Sequence, residues 1–146
     1  METIERVSVL EARDYALLAA EAASDKKAID LVVLEVGPML VITDFFVIAT
    51  GSSDRQVHAI ADGIERRLRD AGLRAIGHEG EREAKWILID FGEIVVHVFQ
   101  PEEREFYRLE KLWSDVEHLA LPDPAADPEA ELAAKPVAAI AEPVGS

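Results

Sequence analysis

The sequence contains no cysteine. That absence removes a disulfide framework, cysteine-based zinc sites, iron–sulfur clusters and a thiol nucleophile together, and it fits a reducing compartment. Long apolar runs are missing too: stretches such as 84–89, interrupted by Lys85, fall far short of the ~20 residues that a membrane-spanning helix needs. Met1 to Arg13 carries five charged residues and no apolar run, unlike a signal peptide. Basic groups are scarce, with 15 Lys and Arg against 29 Asp and Glu for a formal charge of −14. Nucleic-acid affinity rests largely on basic side chains displacing phosphate counterions, so little direct nucleic-acid binding is expected. A basic protein, in contrast, would be attracted over a Debye length, about 8 Å in physiological salt. The expectation is a soluble cytoplasmic protein whose length supports one core without a staple.

The composition changes near Leu119. Residues 120–146 hold five of the seven prolines, many alanines and no aromatic residue. Prolines at that density remove backbone donors, and too little apolar bulk remains to offset the ordering entropy. The expected organisation is therefore an α/β domain over 1–119 and a disordered, acidic Pro/Ala-rich tail over 120–146.

Within the domain the elements alternate. Ser8 to Glu11 has a capping-box pattern, followed by a helical apolar stripe through Ala12, Tyr15, Ala16, Ala19 and Ala23. Ile29 to Val36 and Phe45 to Thr50 read as strands. Ser53 to Gln56 is a second capping box, and Val57, Ile60, Ala61, Ile64 and Leu68 trace one helix face that ends near Gly72. A short strand is expected over Leu73 to Gly77. Trp86 to Asp90 and Glu93 to Phe99 flank Phe91-Gly92 as a hairpin in which Gly92 supplies a positive φ. Pro101 suits the first turn of a last helix, whose apolar face would carry Phe106, Leu109, Leu112 and Trp113. The sum is a single-domain mixed five-stranded sheet with helices packed on it, its strand order open.

Few residues carry a chemical signature. Gly51-Ser52-Ser53 sits where a phosphate-binding turn would, but it lacks the GxGxxG and GK[ST] patterns, so a tight turn with a helix cap is favoured. Asp54 precedes the following helix, while Asp62 and Glu65 fall on it, so paired metal-binding carboxylates on a strand are not evident. The connector His78 to Glu83 could in principle bind a cation together with His97, but it has no metal-ligand spacing, so a solvated loop between strands is favoured for it. His97 fits a core or contact-face residue better than a catalytic base. Both faces of Glu93 to Phe99 are apolar, which demands two covering layers. Either the last helix closes the second face or part of it is left for a partner.

The segment from Trp86 through Asp90-Phe-Gly92 and His97 to Phe99, followed by Arg104-Glu-Phe-Tyr107-Arg-Leu109-Glu110-Lys111-Leu-Trp113, resembles the signature of the ribosomal silencing factor (Iojap) family. Thr43-Asp44 through Ser53, Arg55-Gln56-Val57, Ala59 to Asp62 and Gly80-Glu81 agree in order, over about Val9 to Asp115. The resemblance implies a nucleotidyltransferase-like topology without that fold's catalytic carboxylates, and no cofactor. It implies a translational repressor that binds the large ribosomal subunit through ribosomal protein L-fourteen, blocks joining of the small subunit when nutrients are short, and is a homodimer when free. Carried over position by position, the expected partner-binding set is Trp86, Asp90, His97, Tyr107, Leu109, Glu110, Lys111 and Trp113. The tail departs from the family core. The competing expectation is a nucleotidyltransferase-like or metal-dependent phosphoryl-transfer enzyme using Ser52, Ser53, Asp90 and Glu93.

Overall fold

Residues 10–38, 40, 42–112 and 115–121 are described by a computed structural model. The first helix, α1 (Ala12–Asp25), opens with the Glu11 N–H donating to the Asp14 carboxylate at 2.8 Å. Its Ala16, Ala19, Ala20 and Ala23 are buried, and such small side chains allow the helix axis to lie close to the sheet. Strands β1 (Ile29–Glu35) and β2 (Phe45–Thr50) follow, antiparallel to one another. Helix α2 (Asp54–Asp70) is capped by Ser53, whose Oγ accepts from the Gln56 N–H at 3.1 Å. It stops at Gly72, whose φ of +102° is the left-handed turn that glycine enters without a Cβ clash.

Strands β3 (Gly77–Glu79), β4 (Trp86–Asp90) and β5 (Ile94–Phe99) form an antiparallel ladder. Then come the short helices α3 (Pro101–Tyr107) and α4 (Leu109–Leu112) and the strand β6 (Glu117–His118). The sheet order is β3-β4-β5-β2-β1-β6, with β2 and β5 parallel and every other neighbouring pair antiparallel. Helix α2 therefore belongs to the connection that brings β5 beside β2 in parallel.

Strand alternation sorts the side chains onto two faces. One bears Val33, Val47, Ala49, Ile87, Ile89, Ile94, Val96 and Val98, all buried beneath α1 and α2. The second bears Leu34, Ile48 and Phe99, with Phe46, Trp86 and Leu109 packed partly buried against them.

Three expectations need correction. The sheet has six strands rather than five, because Glu117–His118 adds to the free edge of β1 through Leu34↔His118 and Glu35↔Glu117. The third strand is Gly77–Glu79 rather than Leu73 to Gly77: Leu73 and Ala75 turn onto the helix-side core before pairing with β4 begins at Gly77↔Asp90. The last helix is two helices, broken at Arg108, which adopts a left-handed φ of 43°. The Ser8 cap and residues 122–146 of the expected tail lie outside the described residues. Leu119 and Leu121 still pack against the helix-side core.

Candidate functional site

The second sheet face gathers aromatic rings at the end where β5 leads into α3. Trp86 enters from β4, His97 and Phe99 from β5 and Tyr107 from the last turn of α3, while Phe46 on β2, opposite Val95, borders the cluster from the side where β5 starts. The Trp86 ring stacks on Phe99 at a centroid separation of 4.8 Å and lies 4.7 Å from Tyr107. Phe106 meets Tyr107 edge-on at 4.9 Å. Phe46 stands edge-on to the His97 imidazole at 4.8 Å.

His97 is buried, and its Nδ1 accepts a hydrogen bond from the Trp86 indole N–H at 3.2 Å. A neutral imidazole that accepts at Nδ1 carries its proton at Nε2. That nitrogen is buried with no hydrogen-bond partner among the described residues. Burial holds the imidazole neutral, pushing its pKa down to about 3. His97 thus supports Trp86 from behind.

Outward from this cluster large apolar side chains are exposed among the charged Glu105 and Arg108. Phe106 is 76%, Leu112 72% and Tyr107 45% exposed. Sequence reasoning did not place Phe106 and Leu112 in the contact set, since helical periodicity put both on the buried side of one continuous helix. The break at Arg108 turns them out. Leu109 packs half-buried against the second-face core, and Lys111 is half-buried. Glu110 is buried in an ion pair with Arg104 at 3.0 Å. Asp90 stands at the opposite end of β4 from Trp86, where its Oδ1 accepts from the Gly92 N–H at 2.8 Å. Trp113 lies outside the described residues.

The geometry leaves the phosphate-turn reading little room. Ser52 donates its N–H and hydroxyl to Gln56 Oε1, and the Gln56 amide donates in turn to the Lys26 and Lys27 carbonyls. The start of α2 is therefore occupied by its own side chains. Ser52 and Ser53 follow the C-terminal end of β2, while Asp90 and Glu93 flank the start of β5. Because Phe45 pairs with Ile94 and Thr50 with Phe99, these groups sit at opposite ends of the sheet, about 17 Å apart over five residues of strand. The structure does not bring them together. Among the described residues no cluster of three or more His, Asp or Glu side chains could hold a metal ion.

The His78 imidazole meets Glu65 on α2 at 2.8 Å. That contact raises its pKa above the usual value, and it ties β3 to the helix layer.

The sequence model of the family described as "Ribosomal silencing factor during starvation" matches residues 9–143. The chain is 44% identical over 98 residues to the ribosomal silencing factor RsfS of Bacillus subtilis, covering 67% of this chain and 83% of the relative. It is 37% identical over 92 residues to the mouse protein named "Mitochondrial assembly of ribosomal large subunit protein 1", covering 61% of this chain and 40% of that protein. A crystal structure of a Chromobacterium violaceum protein superposes with a TM-score of 0.70 at 33% identity, covering 80% of this chain and 94% of the other.

Proposed function

The chain belongs to the ribosomal silencing factor family, and on that premise we propose that it silences ribosomes by docking on the large subunit in the cytoplasm. Its target there is ribosomal protein L-fourteen, on the face that meets the small subunit, and occupancy blocks subunit joining when nutrients are short. The mechanism is steric and involves no reaction. The free form is a homodimer.

The observation that carries this reading is the cluster of Trp86, Phe99 and Tyr107, which continues into exposed Phe106 and Leu112 on a strongly acidic chain. Large aromatic side chains backed by a rigid sheet bring apolar area at little entropic cost, as binding hot spots do. The net negative charge of the chain favours a basic protein over bare RNA. The mouse relative's name places that protein in large-subunit assembly, which supports the choice of subunit. The occupied start of α2, and the separation of Ser52 and Ser53 from Asp90 and Glu93, support a function without catalysis.

Within the expected contact set, Trp86, Tyr107, Leu109 and Lys111 face the partner, joined by Phe106 and Leu112, while Trp113 stays in the set on the family resemblance alone. His97 and Glu110 act from inside, and Asp90 shapes the far turn of the hairpin. Pull-down of purified ribosomal protein L-fourteen tests the surface. A folded Trp86→Ala, Tyr107→Ala double variant should lose binding, and undiminished binding would move the docking face elsewhere.

A further inference from the structure

Arg104 is the least expected residue of the last segment. It lies on a short surface helix among Glu102, Glu103 and Glu105, yet it is only 7% exposed. Its guanidinium reaches in two directions: Nη1 donates to Thr50 Oγ1 at the end of β2, at 2.7 Å, while Nε donates to both Glu110 carboxylate oxygens, at 3.0 and 3.2 Å. The chain between the two partners turns at Arg108, whose φ of 43° is left-handed, a conformation that L side chains rarely adopt.

These facts require one another. In a continuous α-helix, residues six apart lie about 120° apart around the axis and about 9 Å along it. Arg104 and Glu110 could not then share one buried pair. The pair forms only in the bent chain, and the bend is what separates α3 from α4 and leaves Phe106, Tyr107 and Leu112 uncovered.

We propose that Arg104 is the positioning residue of the docking surface: paired with Glu110 and anchored on Thr50, it fixes the angle between α3 and α4 that presents Phe106, Tyr107 and Leu112 to the partner. The proposal rests on the docking reading above for its consequence, but the clamp itself is testable without the partner.

Glu110→Gln keeps the side chain's size and removes its charge. The Arg108 and Lys111 amides, bonded to the Arg104 and Arg108 carbonyls at 2.9 Å each, should then exchange hydrogen roughly tenfold faster. Affinity for purified large subunits should fall by roughly the same factor. The double variant Arg104→Met, Glu110→Leu replaces the buried pair with apolar groups, an exchange that often preserves stability. It should melt within about 5 °C of the parent chain and still dock weakly, which a merely structural role would not produce. Tyr107→Ala, with the clamp intact, should dock weakly at parental exchange rates. If the parent chain fails to bind large subunits, the docking reading falls and the exchange rates still decide the clamp. Parental exchange in Glu110→Gln, or full affinity in the folded double variant, overturns the proposal. Should the double variant not fold, Glu110→Gln alone decides.

Discussion

The indole N–H of Trp86 donates to Nδ1 of His97 diagonally across the β4–β5 pair, at 3.2 Å, so the ring that packs against Phe99 and Tyr107 is oriented by a buried, neutral imidazole. An unfolded histidine takes up a proton near pH 6.5, whereas folded His97 does so only at about 3. Between those values the unfolded state binds more protons, so this residue's contribution is complete above pH 6.5 and is lost as pH falls. The slope for one such group approaches about 1.4 kcal/mol per pH unit. His97→Phe should flatten the acid limb of stability against pH by that amount, as measured by urea unfolding between pH 6 and 4. An unchanged slope would mean that folded His97 does accept the proton.

His78 has the opposite sign. Its pKa is raised first by the hydrogen bond to Glu65, so its contribution is full below pH 6.5 and is lost as pH rises through the folded value. The contact is partly exposed to solvent and the effect is correspondingly small. His78→Gln should remove a shallow alkaline decline in melting temperature and leave the acid limb untouched.

Core and docking surface should separate under substitution. Ile64→Ala empties a fully buried position between α2 and the sheet and should cost about 2–5 kcal/mol in chemical denaturation. Leu112→Ala removes a side chain that is 72% exposed. It should change stability by less than about 0.5 kcal/mol while weakening attachment to large subunits. Equal stability losses in the two variants would place Leu112 in the core.

Gly80 adopts a φ of +81°, and a Cβ there would overlap the Trp86 carbonyl oxygen. Gly80→Ala should therefore destabilise the chain by more than about 2 kcal/mol. It should also disturb the start of β4, visible as a shifted Trp86 fluorescence maximum. A spectrum and stability like the parent's would show that the turn can relax around the added methyl.

Much of this was legible in the sequence where the signal is local. Ser53 caps α2, Gly72 ends it, and Val57, Ile60, Ile64 and Leu68 are its buried stripe. Gly92 turns the β4–β5 hairpin with a φ of +91°. What periodicity missed depends on distant partners. A two-residue strand such as β6 is defined by its bonds to β1, not by a pattern of its own. Nothing local announces a left-handed Arg108 within Arg-Leu-Glu-Lys-Leu, a run of good helix formers. The buried pairing of Arg104 with Glu110 overrides that propensity. The same break hid Phe106 and Leu112, which one continuous helix would have buried, whereas Glu110 entered the contact set through the family resemblance and stands buried beside Arg104.

Sucrose-gradient sedimentation of lysate shows whether this chain acts by occupying the large ribosomal subunit. The protein should travel with free large subunits, be scarce on intact ribosomes, and move to the top of the gradient when Trp86 and Tyr107 are both replaced by alanine. Parent chain found only at the top of the gradient, or spread equally over intact ribosomes, would contradict it.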